Sequence, residues 1–369
     1  MTPQAEIQLI AIVVAAACAL PGVFLVLRRL ALMSDAISHA ILPGIAIGFF
    51  VTHDLNSPLL IAGATLTGLL TVALVEVVER TGLVKEDAAI GLVFPALFSI
   101  GVILITQFAG DVHLDVDAVL LGELAFAPFD RFTVGGVDVG PRALVVMSVV
   151  LLLNVAFIGF FYKELKLSTF DAGLAATLGM VPGVLHYGLM ALVSVTAVSA
   201  FDAVGSILVV ALMVGPPAAA YLLTDRLDRM LVLSAGLGAA AAVFGYMLAR
   251  ALDASIAGAM ATVVGVLFGL AYLFAPARGL VATVRRQRRQ RWRFAQKMLT
   301  IHLLNHEGLP EETRENRVSH LHEHIRWGAA FGQRVVKLSE QDHLILRDGD
   351  LLTLTDAGRD LAQEAIVET

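Results

Sequence analysis

Asp35 and His39 stand four residues apart inside the apolar stretch ALMSDAISHAILPGIAIGFFV, residues 31–51. On a helix that spacing puts both on one face, a turn apart. At about 1.5 Å of rise per residue, His39 lies about 15 Å along the axis from Arg29, near the middle of a hydrocarbon layer about 30 Å thick. A carboxylate at that depth is expensive and persists where it faces a water-filled path, a partner group or an ion. An Asp oxygen and a His nitrogen at this spacing can share one divalent transition metal. Imidazole suits zinc and iron, and the carboxylate extends the range towards manganese. The same spacing serves a buried Asp–His hydrogen bond that pins two helices, and spacing alone weighs the two evenly. Ser34 and Ser38 flank the pair and could orient it. Pro43-Gly44 interrupts the helix and leaves backbone carbonyls free to face a cavity.

Three further groups could do chemistry. His113, Asp115 and Asp117 alternate, so on an extended strand they share a face. The segment around them, 109–142, is acidic, with Asp111, Glu123, Asp130 and Asp138 against Arg131 and Arg142. A funnel that concentrates cations by its field is one reading. A solvated loop is favoured over direct ligation. Ser168 or Thr169 can cap a short helix with Asp171 in its first turn, where negative charge suits the helix dipole. Gly179 and Pro182 then end it. Six of the ten histidines lie beyond residue 300, and His320 and His324 share a helix face and could contact a metal. A solvated surface helix carries such a pair equally well.

The elements that hold these residues follow from composition. The 369 residues are 57% hydrophobic and 16% charged, against about 25% charged in soluble domains. Thirty-one charged residues fall in the first 284 positions and 27 in the last 85. The first part reads as membrane and the last as a small soluble domain. Nine runs are apolar enough to span: roughly 7–27, 31–51, 58–78, 88–108, 143–162, 183–201, 203–223, 231–250 and 255–275. The close pair 183–201 and 203–223 makes eight the alternative. Arg28-Arg29, Arg80/Lys85, Lys163/Lys166, Arg226/Arg229 and the run Arg285 to Arg293 follow the odd-numbered runs. That asymmetry puts the N-terminus outside and the C-terminus in the cytoplasm. The expected fold is an all-α polytopic membrane protein of eight to nine helices, residues 1–280, with a small α+β cytoplasmic domain, 285–369. The one cysteine, Cys18, excludes a disulfide framework. No GxxxxGK[ST] loop is present, so active transport would draw on another subunit or an ion gradient.

The segment LRRLALMSDAISHAILPGIAIGF resembles the signature of the metal-ion ABC transporter permease family, bacterial importers of manganese, zinc or iron. KEDAAIGLVFPALFSIGVILI (85–105), VHLDVDAVLLGELA (112–125), LSTFDAGLAATLGM (167–180) and VGSILVVALMVGPPAAAYLL (204–223) are similar to later blocks of the family, in order, over residues 5–275. The resemblance implies that Asp35 and His39 line the metal path. It implies that the 109–142 surface docks an extracytoplasmic metal-binding protein. It also implies that the segment with Ser168, Thr169, Asp171 and Gly179 sits in a separate ABC ATPase subunit and carries its motion into the membrane. A second permease copy, identical or a sister chain, would complete the path. No permanently bound cofactor is expected, only the transported ion, and no catalysis by this chain. The alternatives are a proton-driven metal-cation carrier and a membrane-anchored metal-responsive regulator.

The last 85 residues offer amphipathic helices, a strand pair turned at Asp348-Gly349 and a helix from Asp356. That order, with the ending LTLTDAGRDLA, resembles the winged helix of metal-dependent repressors. DNA binding would make 327–338 the recognition helix. The domain is nearly neutral, and the basic run 285–293 is more simply an anchor on anionic membrane lipid. Regulation of the transporter by protein contact ranks first, metal sensing next and DNA last.

Overall fold

Long apolar runs become helices in lipid because every backbone N–H and C=O must be satisfied within the segment. The computed structural model describes residues 2–53, 57–108, 124–134, 137–321 and 327–367. The chain divides into two compact units, Met1–Gly279 and Leu280–Thr369.

In the first unit the order is α1 (Pro3–Leu27), α2 (Ala31–Ala40), α3 (Leu42–Thr52), α4 (Pro58–Arg80) and α5 (Glu86–Phe108). It continues with β1 (Arg131–Val134), β2 (Val137–Pro141), α6 (Arg142–Phe160), α7 (Tyr162–Phe170), α8 (Ala172–Thr177) and α9 (Pro182–Val204). It ends with α10 (Ser206–Leu223), α11 (Leu227–Leu252) and α12 (Ile256–Phe274). Among the described residues, nine stretches are long and apolar enough to cross a membrane, with α2 and α3 together forming the second. The close pair at 183–223 is two helices, α9 and α10, joined through Gly205 at φ 77° and ψ 160°, a conformation that favours glycine.

Helix α1 is the centre. Ile10, Val14, Cys18, Phe24 and Leu25 are fully buried, and α6, α9, α10 and α11 surround it. Asn154 on α6 is buried there too. Its Nδ2 donates to the Ala17 carbonyl at 2.8 Å and to Thr196 Oγ1 at 3.1 Å, tying α6 to α1 and α9. Helices α2 and α3 lie against α4 and α5, with α9 and α10 behind α2. Gly44 and Gly63 let α3 and α4 meet backbone to backbone, since a Cβ on either would overlap the other's carbonyl oxygen.

The second unit runs α13 (Leu280–His306), α14 (Glu312–Glu315), α15 (Ala329–Gln341), β3 (Ile345–Asp348), β4 (Leu351–Leu354) and α16 (Asp356–Val367). Its core joins Leu299 and Leu303 of α13, Val335 and Val336 of α15, and Ile345, Leu352 and Leu354 of the hairpin. The strand pair expected at Asp348-Gly349 is β3–β4, with Gly349 at φ 61° in the turn. Arg359 on α16 grips Glu307 with contacts of 2.7–3.1 Å, and these hold the Glu307 carboxyl below its ordinary range.

Candidate functional site

Helix α2 carries Asp35 and His39 on one face, with His39 Nε2 3.5 Å from Asp35 Oδ1. The Asp35 side chain is 47% exposed and His39 31%. The pair is therefore open on one side. Its other side is apolar: the His39 ring meets Phe94 at 6.0 Å and Phe98 edge-on at 6.3 Å, both on α5. The helix breaks directly after the pair. Ile41 is a turn residue between α2 and α3. Pro43 has no N–H to give the His39 carbonyl four residues earlier, so that oxygen loses its ordinary helical donor. Ser34 and Ser38 do not orient the pair. Both are buried and donate to their own helix, Ser34 to the Ala31 carbonyl at 2.9 Å and Ser38 to the Ser34 carbonyl at 2.6 Å.

Two ligands on one helix cannot close a coordination shell. Among the described residues, no three His, Cys, Asp or Glu side chains are arranged to hold a metal. A charged side chain inside an apolar span costs up to about 3 kcal/mol on insertion scales, so the open face of Asp35 favours a polar neighbour.

The segment expected to meet an ATPase is two short helices. Ser168 and Thr169 lie in the last turn of α7 rather than capping a helix, because their hydroxyls are engaged elsewhere. Arg28 donates to Ser168 Oγ and Thr169 Oγ1, each at 3.1 Å, and Ser168 also donates to the Leu165 carbonyl. The cap is Asp171. It leaves the helical region at φ −150°, and its Oδ1 accepts from Leu174 N at 2.8 Å at the head of α8. Gly179, at φ 82°, follows α8, and Pro182 opens α9.

On the α1 side of the acidic segment, Arg131 on β1 is shared between Glu6, at 3.1 Å, and Asp138. The guanidinium holds the Asp138 carboxyl below the usual range. Asp138 is thus an ion-paired member of a β-hairpin within the acidic segment. His113, Asp115 and Asp117 lie outside the described residues, as does His324. In the second unit His320 Nδ1 lies 3.3 Å from Glu315 Oε2, and His302 Nε2 lies 3.3 Å from the Glu315 carbonyl.

Sequence reasoning passed over Glu76, His186 and Tyr187. His186 Nε2 lies 2.8 Å from Glu76 Oε1, and the Tyr187 hydroxyl donates to Glu76 Oε2 at 2.8 Å. The signal was available: an acid and a histidine near the ends of two apolar runs, each needing a partner there.

Residues 5–275 match the ABC 3 transport family. Over 97% of both chains, the protein is 49% identical to the zinc transport system membrane protein TroD of Treponema pallidum. It is 48% identical to the manganese transport system membrane protein MntD of Bacillus subtilis, over 76% of this chain and 95% of that one. Among solved structures, PsaBC from Streptococcus pneumoniae in complex with Fab superimposes with a TM-score of 0.63 at 29% identity. That match covers 75% of this chain and 94% of the other.

Proposed function

We propose a metal path for this chain, which belongs to the ABC 3 transport family and is a membrane-spanning permease subunit of an importer of divalent transition metal ions: the cargo passes α2 at Asp35 and His39. The observation that carries the path is the open Asp–His pair at 3.5 Å, set at a helix break in the middle of an apolar span. Asp35 supplies a hard oxygen, His39 a softer nitrogen and the His39 carbonyl a neutral oxygen, a set that accepts manganese, zinc or iron. A second permease copy supplies the polar neighbour that the open face needs. Few ligands per copy make a weak site, which favours release over storage.

The N-terminus lies outside and the second unit in the cytoplasm, as the Lys/Arg asymmetry requires. Helices α7 and α8, capped by Asp171, meet the ABC ATPase, and the outer surface around 109–142 receives an extracytoplasmic metal-binding protein. The second unit is a winged-helix-like regulator that acts by protein contact, with His320 beside Glu315 as its metal-facing candidate. Its Arg285, Arg289 and Arg293 repeat every four residues along α13 and line a cavity of about 570 Å³ with Trp292, Gln296, Leu338 and Asp342. That face suits anionic lipid headgroups.

Reconstitution tests the function. Uptake of manganese or zinc into proteoliposomes should require this chain, its ATPase, ATP and the metal-loaded binding protein together. Uptake by this chain alone under a proton gradient would replace the ABC reading with a secondary carrier.

A further inference from the structure

Arg28 closes α1, and its guanidinium reaches two other helices. Its donors to Thr169 and Ser168 tie it to α7. Its remaining terminal nitrogen lies 3.4 Å from His186 Nδ1 on α9. A guanidinium only donates, so Nδ1 accepts, and the other ring nitrogen, Nε2, lies 2.8 Å from Glu76 Oε1 on α4. Glu76 Oε2 accepts from Tyr187 at 2.8 Å and from Arg80 at 3.2 Å. One polar chain thus runs from α7 through Arg28 and His186 to α4. Burial lowers the pKa of Arg28, and a cation withdrawn from water needs these acceptors.

The same residue is fixed to α2 through the backbone. Arg28, Arg29 and Leu30 donate their N–H groups to the carbonyls of Phe24, Val26 and Leu25. Arg29 takes the left-handed conformation at φ 64°. The bonds of Arg29 and Leu30 form a Schellman turn, which satisfies the end of α1 and holds one geometry. Helix α2 starts at Ala31, three residues past Arg28, and Asp35 and His39 follow one and two turns later. A short turn with its donors occupied passes on a displacement of Arg28 instead of absorbing it.

We infer that Arg28 is the positioning residue that links the α7–α8 segment to the Asp35/His39 helix, with His186 and Glu76 as its anchor on α4. Neither Arg28 nor its anchors reach the cargo; they set where α2 stands when α7 moves. The inference rests on the proposed roles of α7–α8 and of the Asp–His pair. A purely structural clamp would need the same contacts for insertion and stability, but would leave the metal carried per ATP unchanged.

That ratio is the readout, measured on the assembled transporter in proteoliposomes with manganese and with zinc. Arg28→Lys keeps the charge but gathers its donors on one nitrogen and loses the planar fork that reaches Ser168, Thr169 and His186 from three separate atoms. It should insert and hydrolyse ATP near the wild-type rate while the metal-to-ATP ratio falls about fivefold or more, the low end of coupling between sites. Ser168→Ala with Thr169→Val cuts only the α7 link, leaves Arg28, His186 and Glu76 joined, and should lower the ratio likewise. If Arg28→Lys fails to insert, the double variant decides. Wild-type ratios in the variants that insert would overturn the inference. Asp35→Asn, run in parallel, separates the two claims. Wild-type transport by it would remove the metal path while a lowered ratio in the Arg28 variant still stood. Abolished transport by it beside a normal ratio in the Arg28 variant would remove the link alone.

Discussion

Replacing Asp171 by alanine removes the oxygen that accepts from Leu174 N at 2.8 Å and leaves the head of α8 uncapped. Helix α8 has six residues, far below the roughly 12–15 at which an isolated helix holds itself. A cap of this kind contributes about 1 kcal/mol, and about 1.4 kcal/mol is a tenfold change in an equilibrium. Fraying of α8 should therefore rise about fivefold on those figures. Asp171→Asn keeps an acceptor and loses only the charge–dipole part, about 0.3–1 kcal/mol, so its effect should be smaller. Asp171→Lys loses the acceptor and sets a cation against the positive end of the helix, so it should be the worst of the three. Hydrogen exchange of the amides of 172–178 reads the fraying, and metal uptake by the reconstituted transporter reads its consequence. Exchange in the alanine variant at the wild-type rate would refute the cap argument. Faster exchange with undiminished uptake would show that α8 is only a connector.

Gly63→Ala places a methyl against the Gly44 carbonyl. It should lower thermal stability in detergent by about 1–3 kcal/mol, whereas an unchanged melting temperature would mean that α3 and α4 separate freely. The Arg131–Asp138 contact should stabilise the β1–β2 hairpin above the ordinary aspartate range, near pH 3.9, because Asp138 titrates below that value when folded. Protection of the hairpin from exchange should fade only as the pH drops through the lower folded value, and Arg131→Gln should weaken that acid dependence. Truncation after Gly279 should leave an inserted, assembled first unit, since its core draws on residues between 7 and 267. Loss of insertion in that variant would mean the second unit is needed for folding.

The apolar runs were legible because lipid admits few backbone solutions, and all nine expected runs overlap the membrane-capable stretches found among the described residues. The Asp35/His39 face and the break before Pro43 followed from spacing and from a missing N–H. The cap on α8 was misplaced by a few residues. Ser, Thr and Asp are all good caps, and which one serves depended on Arg28, distant in sequence, taking the two hydroxyls. The same long range hid the Arg28–His186–Glu76 chain, whose members are separated by 158 and 110 positions. The hairpin at 131–141 was read as loop because its pairing carries a bulge at Phe132/Thr133 and its anchor, Glu6, lies in another helix. Ser34 and Ser38 looked like helpers of the Asp–His pair, but back-bonding to a helix carbonyl is open to any buried serine.

Equilibrium binding of manganese and of zinc to the solubilised permease tests the metal path most directly, with wild type, Asp35→Asn and His39→Ala compared at matched melting temperature. Binding should be saturable in wild type and weaken about tenfold or more in each variant, the size of effect that loss of one charged or ligating partner produces. Equal affinity in all three, with all three folded, would contradict it and leave the pair as a hydrogen bond between two turns of one helix.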